Sequence, residues 1–111
     1  MFETISLNTD SRGVTTLTLA RADKHNAMNA QMIRELTQAA ERIGQDTNTR
    51  VVVLAAEGRS FCAGGDLGWM KEQMAATAGQ RAAGARELAG MLGALNTLPK
   101  PLIGRVQGQA F

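Results

Sequence analysis

The feature that most restricts the fold is an unbroken run of six apolar residues, Val51–Ala56, in the middle of the chain. These residues do not alternate with polar ones, which is typical of a strand that is covered on both faces. Such strands occur mainly in parallel sheets, where helices pack on the sheet. The run therefore predicts an α/β fold in which this segment is a buried parallel strand.

The residues before this run change their apolar period from two to 3.6. Residues 2–7 alternate apolar and polar side chains, and Val14–Leu19 is rich in β-branched ones, so the two segments predict a β-hairpin. A helix follows, with Asn29 as its expected N-cap, Gly44 as its expected end and Glu35 on its polar face. Strand, helix and buried strand in this order predict a parallel βαβ unit with a right-handed crossover.

The second half of the chain continues the same alternation of strands and helices. Residues 57–65 form a loop with three glycines, and apolar spacing predicts a second helix over residues 73–97, ended by Pro99 and Pro101. Residues 102–106 predict another short strand. The chain then ends at Phe111 after a loop-like approach, so we expect it to be cut short within its domain.

Composition argues against several kinds of partner. The single cysteine, Cys62, cannot form an internal disulfide, and together with a single histidine it does not predict a metal site. Twelve basic and ten acidic residues leave a net charge of +2, too small and too scattered for a nucleic-acid surface. The longest apolar run is far shorter than the ~20 residues of a membrane helix. We expect a cytoplasmic protein with no bound metal, nucleic acid or membrane.

Residues 60–67, Ser-Phe-Cys-Ala-Gly-Gly-Asp-Leu, are the best candidate for a ligand site. They follow the buried strand, and ligands of open parallel sheets bind beyond the carboxyl ends of the strands. The unpaired amides at the start of the next helix can hold a developing negative oxygen. A tight turn that needs glycine for steric reasons explains the same residues equally well, so the segment alone leaves both interpretations open.

Three motifs together resemble one protein family. Residues 61–67 resemble the F-x-A-G-x-D-[LI] signature of the crotonase superfamily, the enoyl-CoA hydratases and isomerases. Residues 24–29 resemble the family's x-x-N-A-[LM]-[ND] loop, and residues 99–108 resemble its K-P-x-I-A-x-V-x-G strand. The resemblance implies that residues 1–111 are the N-terminal part of a single crotonase-like catalytic domain, a ββα superhelix, ending before the second oxyanion donor.

The resemblance also implies a site. The backbone N–H of Gly65 would be one half of an oxyanion hole that holds the enolate oxygen of an acyl-CoA thioester. Coenzyme A is then part of the substrate, and no separate cofactor is expected. Many relatives have a lysine where this chain has Gly68, so a phosphate contact from that position is not implied. The residues that match the family's substrate contacts are Lys24, His25, Ala27, Ala63, Gly65, Asp66 and Leu67.

As a function, the resemblance implies hydration of a 2-enoyl-CoA in fatty-acid or branched-chain amino-acid breakdown, by a trimer or a dimer of trimers. The two glutamates that hydratases use have no counterpart here, so residues 1–111 alone are expected to be inactive. Residues 66–70 are similar to the branch that hydrates methylglutaconyl-CoA in leucine breakdown. A non-catalytic acyl-CoA-binding or assembly module of the same fold is the alternative.

Several of these residues also have a purely structural interpretation. We expect Asp66 to cap the following helix and Cys62 to be a small packing residue. His25 is expected to be an exposed loop residue or a contact of the pantetheine chain. Trp69 can equally line an acyl pocket or pack in the core. Gly65 is therefore the one position at which a functional role is preferred.

Overall fold

The computed structural model describes residues 2–111 and contains one sheet of four strands with helices packed against it. The strand order is β1-β2-β3-β4, with β1 antiparallel to β2 and the other two pairings parallel. This confirms the predicted α/β fold. In chain order the elements are β1 (Ile5–Thr9), β2 (Val14–Leu19), a 3-10 turn (Ala22–Lys24), α1 (Ala30–Gln45), β3 (Val51–Ala56), α2 (Leu67–Ala75), α3 (Ala78–Asn96) and β4 (Leu102–Gly104).

Strand β3 lies inside the sheet, as predicted, because β2 and β4 both pair with it in parallel. Val52 is fully buried against the helices. On the other face, Val51 and Val53 are only half-buried. Ala55 on that face is buried, whereas Leu54 and Ala56 on the Val52 face are half-buried. Each face of β3 thus has one buried and two half-buried residues, so within residues 2–111 the strand is partly covered on both faces.

Helix α1 begins as predicted but ends later. The Asn29 side chain accepts a hydrogen bond from the Met32 N–H at 2.9 Å, which confirms the N-cap. Gly44 does not end the helix, because it has no positive φ and lies within the last turn. The helix ends instead at Gln45, and its C-cap is Asp46, an extended residue whose N–H donates to the carbonyl of Ile43.

The placement of Glu35 on an exposed polar face was wrong. Its carboxylate accepts hydrogen bonds from the Thr4 N–H at 2.8 Å, the Thr4 hydroxyl at 2.7 Å and the Glu3 N–H at 3.1 Å. Burial would raise the pKa of Glu35, but these hydrogen bonds outweigh it and lower that pKa below its ordinary value. Residues before β1 are thus anchored to α1, and the first strand begins at Ile5 rather than at residue 2.

The predicted second helix is two helices. Helix α2 begins at Leu67, and α3 begins after Thr77, which forms a capping box with Gln80. The Gln80 N–H donates to the Thr77 hydroxyl at 3.2 Å, and the Thr77 N–H donates to the Gln80 side chain at 2.9 Å. This box satisfies the first amides of a new helix and so explains the break. No helix within residues 2–111 has the length and apolarity needed to cross a membrane.

Candidate active site

Two loops meet where the parallel strands end. The first loop comprises residues 20–29, between β2 and α1, and the second loop comprises residues 57–66, between β3 and α2. They pair in parallel: the Met28 N–H donates to Gly64 O at 2.7 Å, and the Asp66 N–H donates to Met28 O at 2.9 Å. The Ala63 N–H also donates to His25 O at 2.9 Å. The edge of the sheet predicted to bind a ligand is therefore formed by the two predicted loops.

A third segment, residues 105–111, pairs with the opposite side of the second loop. The Phe61 N–H donates to Gln109 O at 2.8 Å, and the Phe111 N–H donates to Cys62 O at 2.9 Å. Gly108 has a φ of +66°, and a Cβ there would lie 2.0 Å from the Arg59 carbonyl oxygen. Only glycine allows this close approach. The second loop is thus held on both sides by backbone hydrogen bonds.

The first loop is held in an uncommon conformation by one buried side chain. His25 and Asn26 both have positive φ, 52° and 57°, a region that non-glycine residues seldom adopt. The Asn26 side chain is fully buried. It accepts from the Arg21 N–H at 2.8 Å and donates to the carbonyls of Glu57 at 2.9 Å and Ser60 at 3.1 Å. These bonds compensate for the backbone strain and tie both loops together.

The Gly65 N–H has no hydrogen-bond acceptor among residues 2–111. The pairing with Met28 uses the carbonyl of Gly64 and the N–H of Asp66. Successive groups of an extended strand point to opposite sides, so the Gly65 N–H is directed away from that pairing. Gly65 itself is half-buried. The result is a fixed donor at the surface of the second loop.

This donor lies at a cavity of about 740 Å³, within the range of small-molecule sites. All seven predicted site residues line this one cavity. Four other lining residues were not predicted as site residues: Arg21, Asp23, Gly68 and Met70. The cavity is lined by Arg21, Asp23, Lys24, His25, Ala27, Ala63, Gly65, Asp66, Leu67, Gly68 and Met70.

Asp66 is tied in two directions, and this determines its charge. One carboxylate oxygen accepts from the Trp69 N–H at 2.9 Å, which confirms the predicted cap of α2. The other oxygen lies 2.9 Å from Nη1 of Arg21. The bond from Trp69 and then that from Arg21 lower the pKa of Asp66 below its ordinary value. A lowered pKa makes this carboxylate a weak proton acceptor, and both of its oxygens already accept hydrogen bonds, which does not suit a general base.

Three further residues with sequence-based expectations, Cys62, His25 and Trp69, lie in this region. Cys62 is buried, and its Sγ lies 3.3 Å from Asn26 O and 3.4 Å from the Gly64 nitrogen, as expected of a packing residue. His25 is exposed, as expected, and its Nδ1 lies 3.2 Å from the Ser60 hydroxyl. Trp69 packs against the hydrophobic core. Neither Cys62 nor Trp69 lines the cavity.

Fold and site define a class: an α/β protein that offers a fixed backbone donor beyond the carboxyl ends of parallel strands, with cationic and apolar side chains around it. The chain belongs to the enoyl-CoA hydratase/isomerase family, whose model matches residues 9–111. This confirms the family resemblance carried by the three motifs.

Individual relatives agree with this assignment. The chain is 35% identical over 103 residues to "Probable enoyl-CoA hydratase echA6" of Mycobacterium tuberculosis, covering 93% of the chain and 39% of the relative. It is 32% identical over 108 residues to the trans-2-decenoyl-(acyl-carrier-protein) isomerase of Streptococcus mutans, covering 96% and 41%.

The fold also matches solved structures of enoyl-CoA hydratases. The crystal structure of the Shewanella pealeana enoyl-CoA hydratase matches with a TM-score of 0.93 at 37% identity, over 96% of the chain and 40% of that structure. The chain therefore spans about two fifths of the length of its relatives.

Proposed function

We propose that the protein containing this chain converts enoyl-CoA thioesters, and that the Gly65 N–H holds the thioester oxygen while it carries the charge of an enolate. The proposal depends on one observation: this N–H has no acceptor among residues 2–111, and Gly65 lines the cavity that all the predicted site residues line. A backbone amide suits the task because the fold fixes it before the reaction begins.

The enolate is common to hydration and isomerisation. In hydration, a base takes a proton from water as its oxygen adds to the β-carbon and the π electrons move to the thioester oxygen; an acid then delivers a proton to the α-carbon and the thioester re-forms. In isomerisation, the α-carbon of a 3-enoyl thioester loses a proton to a base to form a dienolate, which regains a proton at the γ-carbon as the double bond moves into conjugation. Charge develops on the same oxygen in both, and a donor at that point lowers both barriers.

We propose that the acid–base groups and the second oxyanion donor follow Phe111 in the chain. Asp66 is a poor base because the cap of α2 and Arg21 lower its affinity for a proton and occupy both of its carboxylate oxygens. The Phe111 N–H already bonds to Cys62 in a parallel pairing, so residues after Phe111 would run beside residues 63–65. Residues 1–111 are, on this proposal, the N-terminal part of one catalytic domain that functions as a trimer or a dimer of trimers.

Coenzyme A is proposed to lie along the first loop, against Lys24, His25 and Ala27. The Ala63 N–H already donates to His25, so the group that Ala63 can offer to the adenine is its carbonyl. Leu67 has 73% of its surface exposed and would be covered by the thioester. This arrangement gives the ligand the Ala63 carbonyl as a hydrogen-bond acceptor, Lys24 as a cationic side chain and Leu67 as an apolar contact.

The test is an absorbance assay of the enoyl thioester with the protein that contains this chain. We expect the absorbance of crotonyl-CoA to fall on addition of enzyme. Because residues 66–70 are similar to the methylglutaconyl-CoA branch, we propose 3-methylglutaconyl-CoA as the better substrate. The same assay compares its rate of conversion with that of crotonyl-CoA. Binding of these thioesters with no loss of absorbance for any short enoyl-CoA would overturn the enzymatic proposal and favour a non-catalytic binding module.

A further inference from the structure

We propose that Arg21 is a positioning residue: its guanidinium joins the two loops and thereby sets the direction of the Gly65 N–H. The proposal rests on the proposed function, because it assigns a role in that same site. Arg21 belongs to none of the three motifs, and the loop that contains it was predicted only as a polar connection.

The contacts of Arg21 lie on either side of the pairing that orients Gly65. Its Nη1 donates to Ala27 O at 2.7 Å and to an Asp66 carboxylate oxygen at 2.9 Å. Ala27 immediately precedes Met28, and Asp66 immediately follows Gly65, while Met28 and Gly65 form the bridge between the loops. A change in the separation of the two loops must therefore stretch one of the bonds made by this nitrogen.

Arg21 is itself fixed at both of its ends. Its N–H donates to the buried Asn26 side chain at 2.8 Å, so its backbone cannot shift without breaking that bond. The carboxylate of Asp66 that it contacts also caps α2 through the Trp69 N–H. The start of α2, the turn at Gly65 and the first loop are thus joined at one ion pair.

This ion pair is partly withdrawn from water. The side chains of Arg21 and Asp66 are 18% and 17% exposed, whereas those of the Arg12–Asp10 pair on the hairpin turn are 76% and 34% exposed. Water and salt weaken exposed pairs strongly and buried ones less. The two pairs have the same chemistry, so Arg12 provides a matched control outside the cavity.

The test compares Arg21→Met with Arg12→Met in the protein that contains this chain, with crotonyl-CoA as substrate. We expect kcat to fall about 10- to 100-fold in Arg21→Met, with KM changed less than about threefold, because a misplaced donor lowers transition-state stabilisation more than binding. Arg12→Met should stay within about twofold. Arg21→Lys should restore most of kcat, because one nitrogen serves both acceptors and an ammonium can do the same.

A second measurement is independent of turnover. With nitrogen-15 glycine labelling, the Gly65 amide resonance is assigned by its loss in Gly65→Ala, and its shift is compared with and without acetoacetyl-CoA. We expect Arg21→Met to displace this resonance in the free protein and to reduce its response to the ligand, with Arg12→Met unchanged. If Arg21→Met does not fold, Asp66→Asn, which keeps an oxygen for the cap, should displace the resonance in the same direction.

The outcomes separate the two proposals. If the wild-type protein turns over no enoyl-CoA but Arg21→Met displaces the Gly65 resonance, the positioning role stands and the proposed function fails. An unchanged kcat and an unchanged Gly65 resonance in Arg21→Met would overturn the positioning role. So would an increase in KM alone, which would make Arg21 a ligand contact, or an equal loss of kcat in Arg12→Met.

Discussion

Replacing the amide of Gly65 by an ester removes the proposed oxyanion donor without adding an atom to the side chain. Glycolic acid in place of Gly65 gives this change. The Gly65 N–H bonds to nothing else in residues 2–111, so the fold loses no hydrogen bond donated by this group. The ester also makes the Gly64 carbonyl, which accepts from Met28, a weaker acceptor, at a cost of about 1 kcal/mol in the free energy of unfolding.

The expected effect on catalysis is much larger than this effect on stability. Loss of one oxyanion donor lowers kcat by about 100- to 1,000-fold, which corresponds to about 3–4 kcal/mol in the activation free energy. Stability and activity should therefore separate. The assay is the rate at which the enoyl-thioester absorbance of crotonyl-CoA is lost, with thermal unfolding measured on the same samples.

Two variants provide the controls. The same ester at Gly79, in the first turn of α3, removes an N–H that also has no acceptor in residues 2–111, and it should leave kcat unchanged. Gly65→Ala keeps the N–H; its Cβ would lie 3.5 Å from Met70 Cγ and Sδ, an ordinary contact, so kcat should stay within about threefold of wild type. Wild-type kcat in the Gly65 ester, or an equal loss in Gly65→Ala, would rule out the Gly65 N–H as an oxyanion donor.

Three further predictions concern stability. Gly108→Ala should destabilise the chain by about 2 kcal/mol or more in urea unfolding, because its Cβ would clash with the Arg59 carbonyl. Gly93→Ala, at an exposed position of α3, should stabilise it by about 0.5–1 kcal/mol. Equal effects of the two substitutions would contradict this. Folding lowers the pKa of Glu35, so the contribution of its carboxylate to the free energy of unfolding is complete at about pH 7 and is lost as the pH falls through the folded-state pKa. Glu35→Gln should therefore reduce the fall of the urea midpoint between about pH 5 and pH 3. The same fall in wild type and variant would contradict this. The 111-residue chain expressed alone should self-associate in light scattering, because β4 is an edge strand and its central residue, Ile103, is 55% exposed. A monomer with cooperative unfolding would contradict this.

Features that depend on residues close in the sequence were predictable. Asn29 and Asp66 each cap a helix through an N–H three residues ahead, and that spacing is visible in the sequence. The break between α2 and α3 was predictable in the same way, since Thr77 and Gln80 form a capping box. It was missed because the apolar pattern was extended across it.

Features that depend on distant residues were not predictable from local pattern. Glu35 is buried by contacts with Glu3 and Thr4, which lie 32 and 31 residues earlier in the sequence, so the residues around Glu35 gave no sign of its burial. Arg21 contacts Asp66 across 45 residues, and in sequence it is only one polar residue of a polar loop. The predicted site residues themselves came from the family resemblance, and the structure brings them to one cavity.

The second loop bonds to segments that lie far from it in the sequence in both directions: its partner residues are His25 and Met28 on one side and Gln109 and Phe111 on the other. No short stretch of sequence can form this arrangement alone, so the second loop acquires its shape only when the first loop and residues 109–111 both contact it. Contacts so far apart in sequence are slow to form. The Gly65 turn should therefore be among the last parts to become ordered during folding, and the amides of Ala63 and Met28 should exchange with deuterium once the first loop detaches from the second.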